Sequence, residues 1–319
     1  MIIYLTRGFF MKKIILFLSL SALMCPAFSQ QDPQFTHFFF NNQTFNPGAT
    51  GINDKICFGL TARDQWLGFA GNPKTIAFNA SAPFARQNGI GITAIADQLG
   101  ASSDVNVKVS YSFHVPLGNG RKLGIGVDGG IINKGIDFTN MNPVSPGDPY
   151  LASPISSAMT PDIGVGLFYK GQNLYFGASS QKLLTSTVKL GTAYTQIRRH
   201  YYITGGYNYP MGSGGTWELK PSFLVKSDGT ATQFDINTLV EWQKTFYLGA
   251  TYRYQDAAAA MVGFKKNGLT IGYSYDFTTN GLKEPTKGAS QGSHEVYLGF
   301  CIKPPVPPKP PKYIDVTLL

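Results

Sequence analysis

The 319-residue chain is 43% hydrophobic and 13% aromatic but only 14% charged, with 36 glycines, 20 prolines and a formal net charge of +9. Soluble domains usually carry about 25% charged residues, this many glycines and prolines break long helices, and the aromatic content excludes a disordered chain. What remains is an all-β chain long enough for one large sheet.

The chain opens with a secretory leader. Met11-Lys12-Lys13 is a short basic start, Ile14 to Leu23 is apolar, and Ala27-Phe28-Ser29 has small residues where a signal peptidase reads. Residues 1–29 are therefore expected to be a signal peptide; the apolar run is too short for a membrane anchor. Cleavage removes the positive charges of Arg7, Lys12 and Lys13. The weak remaining charge, on an exported chain, argues against a nucleic-acid partner.

Residues 30–54 are rich in Phe, Asn and Gln and lack alternation. They are expected to pack on or inside the sheet formed by the rest of the chain. From residue 55 a period of two dominates. Val105, Val107, Val109, Tyr111, Phe113 and Val115 alternate with Asn106, Lys108, Ser110, Ser112 and His114. Such a run is a strand with two unlike faces, at the length of a tilted bilayer-crossing strand. The same pattern predicts fourteen strands, at about 55–65, 74–82, 89–98, 104–115, 122–132, 161–170, 174–182, 199–209, 217–226, 232–243, 245–254, 257–265, 269–278 and 293–302. The even count, the small polar face and aromatics near strand ends point to a closed antiparallel transmembrane β-barrel over 55–302, in contact with outer-membrane lipid. With both termini periplasmic, the tight turns at 171–173, 243–244 and 266–268 face inward. The longer loops 133–160, 183–198 and 279–292 then face outward. Residues 303–319 begin with a proline-rich stretch, read as a spacer or, alternatively, as a periplasmic docking peptide.

The polar phase carries both charge signs, from Arg63, Lys108 and Asp128 to Asp235, Arg253 and Asp276. Charges in a dry lumen must be paired, and mixed signs favour a lumen crossed by ion pairs and blocked by residues 30–54. Arg63, Gln65 and Trp66 end the first strand at the outward rim. They read as an interface anchor or, alternatively, as a clamp on the first outward loop or a secreted partner. Cys57 and Cys301 both fall on the inward phase, on the two strands that closure makes neighbours. Adjacent strands bring paired Cβ atoms close to disulfide distance, so a bond across the seam is expected. No nucleophile elbow, metal-ligand spacing or phosphate loop occurs. No enzyme activity and no cofactor are expected. The competing function is a small-molecule transporter or porin with residues 30–54 as its plug.

Scattered fragments also carry a resemblance. Asp32-Pro33-Gln34-Phe35-Thr36 leads to Asn41 and Asn46-Pro47-Gly48. Then come Arg63-Asp64-Gln65-Trp66-Leu67-Gly68, Gly71-Asn72-Pro73-Lys74-Thr75, Gly89, Gly91 and Asp97. Pro161-Asp162-Ile163-Gly164, Arg199-His200-Tyr201-Tyr202, Leu219-Lys220-Pro221-Ser222, Gly272-Tyr273-Ser274-Tyr275-Asp276 and Ser293-His294-Glu295 come after these in order. In order and spacing the chain resembles the PorP/SprF family of Bacteroidota outer-membrane proteins, associated with type IX secretion and gliding. Gly48 departs from the family, which more often has Ala there. The resemblance implies a non-enzymatic barrel that works with the type IX translocon and periplasmic components. Its expected clients are secreted surface proteins such as adhesins.

Overall fold

In the computed structural model, residues 32–137, 139, 155–191, 193–283 and 290–304 are described. The leader, most of the loop between residues 137 and 155 with its prolines, and all of the tail after Pro304 lie outside them. No helix among the described residues is long and apolar enough to cross a membrane.

Among the described residues, seventeen strands form in chain order. They are β1 (Ile56–Asp64), β2 (Lys74–Phe84), β3 (Asn88–Leu99), β4 (Ser102–Pro116), β5 (Lys122–Asp137), β6 (Ile155–Lys170), β7 (Leu174–Gln181), β8 (Ser186–Leu190), β9 (Ala193–Ile197) and β10 (His200–Tyr207). The rest are β11 (Tyr209–Met211), β12 (Trp217–Ser227), β13 (Thr232–Trp242), β14 (Phe246–Arg253), β15 (Ala257–Lys266), β16 (Leu269–Thr278) and β17 (Ser293–Ile302). Fourteen of them make an antiparallel barrel. Each strand from β1 to β7 pairs with the next, β7 pairs with β10, and β10 with β12; β12 to β17 continue the meander, and β17 pairs with β1. Closure leaves no free edge in the ring, which is what allows a sheet to sit in lipid.

The two faces follow the alternation. On β4, Val105, Val109, Tyr111 and Phe113 are exposed on the outside, whereas Lys108, Ser110, Ser112 and His114 are buried inside. Large apolar side chains such as Ile76, Val109 and Leu248 cover the outer wall. Trp217, Trp242, Phe246 and Phe264 form an aromatic row on that wall, with successive ring centroids 6.1, 6.0 and 5.3 Å apart. They lie where β12 starts, β13 ends, β14 starts and β15 nears its end. Amphipathic rings at that level suit a membrane interface.

β1 begins and β17 ends at the same end of the barrel, here the terminal end. The opposite, loop end differs from expectation in two places. The loop placed at 133–160 is narrower, because β5 runs on to Asp137 and β6 starts at Ile155. The two strands stay paired beyond the alternating region, and Lys134 of β5 forms an ion pair with Asp104 of β4. Residues 183–198 are not a bare loop but contain the β8–β9 hairpin. Its Val188, Leu190 and Ile197 bury against Ile132 of β5. That small apolar cluster supports the strand extension.

Candidate functional site

Residues 32–54 thread the lumen from the loop end to the terminal end, and their contacts follow that path. At the loop end Asp32 meets Lys182, Tyr202 and, through its carbonyl, Lys226. At the terminal end Asn53 accepts from Lys170 at 2.6 Å, and Asp54 pairs with Lys122 at 2.5 Å. The chain then turns into β1. Thus Asp32 lies at the end opposite the one where β1 begins.

Between these ends the segment is built from short turns, Phe38–Phe40, Asn42–Phe45 and Pro47–Ala49. Asn46 shapes the last turn by accepting from the Gly48 amide at 2.8 Å, while its side-chain amide donates to Leu167 and Ala178 carbonyls on the wall. Ser112 donates to the Gly48 carbonyl at 3.1 Å. The wall opposite is stripped to glycine. A Cβ on Gly124 or Gly126 would run into the Gly48 backbone, and one on Gly166 into Asn46. Reciprocally, an alanine at 48 would bring its Cβ to 2.8 Å from the Gly124 carbonyl, so Gly48 suits this wall. Inward glycine here marks a close backbone approach rather than curvature alone.

The segment's phenylalanines pack against apolar residues on the nominally polar phase. Phe35, Phe38 and Phe45 bury with Ala77, Tyr202 and Leu224. Phe39 and Phe40 pack against Leu239, Tyr247 and Met261. Phe40 also stacks on Tyr297, with centroids 5.0 Å apart.

Near the loop end the lumen holds a buried charge cluster. Arg63 of β1 bonds Asp276 of β16 at 2.6 Å and Glu295 of β17 at 3.0 Å. Arg253 of β14 bonds the same Asp276 at 3.0 Å and Asp235 of β13 at 3.2 Å. Arg253 also reaches Asp256 at 3.5 Å, so two guanidiniums face four carboxylates. The segment supplies further donors to two of them. Glu295, fully buried, accepts from the Thr36 and His37 amides at 2.8 Å each, and its Oε1 lies 2.8 Å from His37 Nδ1. Thr36 Oγ1 donates to Asp276 at 2.9 Å. With Arg63, Glu295 has four partners, which fills the capacity of a carboxylate. At Asp32, desolvation by burial pushes the carboxyl up. The His200 and Lys182 charges and the Lys182 and Tyr202 hydrogen bonds outweigh it, leaving the group well below the ordinary carboxylate range.

Of the rim residues, Arg63 lies inside the lumen in this cluster. Gln65 is buried, and its amide donates to the Pro73 carbonyl at 2.8 Å. Trp66 is half-buried in the β1–β2 connection at φ 53°, with its amide donating to Ser293 at 3.1 Å. Cys57 and Cys301 are paired directly across the β1–β17 seam, with Cα atoms 4.1 Å apart and sulfurs 2.11 Å apart. Sequence reasoning did not single out Glu295 as a site residue. Its signal was its place on the inward phase of β17, opposite Arg63 in the closing pair. No group of three potential metal ligands occurs among the described residues.

The fragments that carry the resemblance thus meet in space: Asp32 with Tyr202, Thr36 with Arg63, Asp276 and Glu295, and Asn46-Pro47-Gly48 with the glycine wall. A family model described as type IX secretion system membrane protein PorP/SprF matches residues 27–300. The chain belongs to the PorP/SprF family. Among solved structures, an outer-membrane protein of Acinetobacter baumannii, Omp33, is similar at 6% identity and a TM-score of 0.45, covering 79% of this chain and all of that one. A Pseudomonas aeruginosa FadL homologue is similar at 11% identity and a TM-score of 0.48, over 81% of this chain and 92% of its own. The Ralstonia pickettii toluene transporter TbuX is similar at 11% identity and a TM-score of 0.45, over 80% and 91%. No curated protein matches the sequence. Fold and family are those of a type IX secretion-associated outer-membrane barrel.

Proposed function

We propose that this PorP/SprF barrel is a non-enzymatic surface-presenting component of the type IX apparatus, supporting secretion or surface anchoring of partner proteins such as adhesins. The observation that carries the reading is the occupied lumen. Residues 32–54 donate hydrogen bonds to Glu295 and Asp276 of the buried charge cluster and fit a glycine-lined wall, which supports a segment built into the folded interior. A barrel filled in this way offers its rims rather than a pore. With the usual orientation, short turns and strand ends face the periplasm, where translocon and motor-associated components act. The extended β5–β6 pair and the β8–β9 hairpin then face outward, as the surface offered to a secreted client.

Mild-detergent purification from the native membrane tests this. Type IX components and at least one secreted surface protein should co-purify, and deleting the gene should strip that protein from the cell surface. A barrel that purifies alone, with unchanged surface display in the deletion strain, would overturn the proposal. In the transporter reading the deletion would instead impair uptake of a small molecule.

A further inference from the structure

The lumen is not filled uniformly. At the terminal end, below the Phe39–Phe40 turn, a cavity of about 310 Å³ remains. That is the lower end of the ~300–1,000 Å³ range of small-molecule sites. Its lining holds three lysines, Lys170, Lys220 and Lys265, and no acidic residue. Two of the three are neutralised from behind. Lys220 bonds Glu218 and Glu241 at 2.9 Å each, and Lys265 bonds Glu241. Lys170 differs. Its ammonium donates to the Asn53 amide oxygen at 2.6 Å, and it has no carboxylate partner within ion-pair distance among the described residues. Its cross-strand neighbour Lys122 already holds Asp54.

Two further features narrow the ligand. Phe40 stacks on Tyr297 and meets Phe39 edge-on at 4.5 Å, with the Lys265 ammonium 4.8 Å from the Phe40 ring centre, which gives the cavity an aromatic wall. The Asn42 side-chain oxygen is buried and receives no hydrogen bond, so an N–H or O–H donor is wanted there. A surplus cation, an aromatic wall and an unfilled acceptor make a complementary set.

We propose that this cavity binds a small carboxylic acid that carries an apolar ring and an amide N–H. The carboxylate pairs with Lys170, the ring packs beside the Phe40–Tyr297 pair, and the N–H donates to Asn42. The site stands independently of the secretion role, since it is argued only from the lining. The test is isothermal titration of the full chain in detergent with N-acetyl-phenylalanine, beside its uncharged C-terminal amide. The acid should bind, and both the amide and the Lys170→Gln variant should bind at least about tenfold more weakly, the equivalent of about 1.4 kcal/mol. Equal binding of acid and amide would reduce the effect to ring partitioning and overturn the proposal. So would a Lys170→Gln variant that binds the acid as well as the wild type, or absence of heat up to about 10 mM acid, a concentration that still reports sites of about 4 kcal/mol. The acid–amide comparison on wild-type protein decides the matter even if the variant does not fold.

Discussion

Glu295→Ala tests the locking of the lumen segment most sharply. The side chain is fully buried and joins the segment to the wall through the Thr36 amide and the His37 amide and ring. Truncation orphans two buried amides, at about 1–3 kcal/mol each. The Glu295–Arg63 pair lies within the wall, between β17 and β1, and Arg63 keeps Asp276, so that pair does not enter the seating term. A net loss of roughly 4 kcal/mol in segment seating is expected, or about three orders of magnitude in the seated-to-released ratio. Planar-bilayer recording reads this directly. Wild-type protein should show no stable conductance, and Glu295→Ala should show frequent openings from a barrel that is still folded. A variant as silent as the wild type, with the barrel intact, would refute the argument that this carboxylate holds the segment.

Other outcomes rest on separate parts of the molecule. Mass spectrometry of the unreduced protein should find Cys57 and Cys301 bonded rather than as two free thiols. Across a sequence separation of 244, chain entropy puts the bond's contribution at no more than about 5 kcal/mol, so Cys57→Ser should lower the denaturant midpoint. Gly126→Leu should expel the Asn46–Gly48 turn and make the segment sensitive to protease; unaltered cleavage would contradict the close approach. Val109→Arg, on the outer wall, should cost about 2–4 kcal/mol in vesicle-reconstituted unfolding if it lies near the bilayer midplane. No cost there would mean that face does not meet lipid. Asp32→Asn should expose a cysteine placed at Gln34 to an impermeant maleimide. Because the folded Asp32 carboxyl titrates below its unfolded value, the wild-type latch is complete above about pH 4 and fades only as pH falls further. Labelling of the wild type that rises between pH 7 and pH 5 would contradict this.

The barrel was legible because its wall has two unlike solvents. An apolar outer face and a polar interior force a period of two, and β4 shows it without interruption. The facing of Cys57 and Cys301 came from the same phase once closure was assumed. The seat of the segment was harder to read, because its signals look like exceptions. Phe168 and Leu239 break the polar phase, and both are nearly fully buried. Gly124 and Gly126 look like ordinary barrel glycines until the Gly48 backbone lies against them. The loop ends of β5 and β6 were harder to read for a related reason. Past the apolar outer band the two faces no longer differ, so residues such as Asn133, Lys134, Ser156 and Ser157 carry no alternation even though their backbones stay paired. The β8–β9 hairpin is short and leans on its Ile132 contact, which no local pattern announces.

The barrel's lumen is filled by its own segment as part of the native fold. Hydrogen exchange of the full chain in lipid nanodiscs reads this, since exchange reports openings over minutes to hours. The Thr36 and His37 amides should be protected as strongly as the amides of β1 and β17. Exchange of those two amides at unfolded-chain rates, with the strands still protected, would contradict the account.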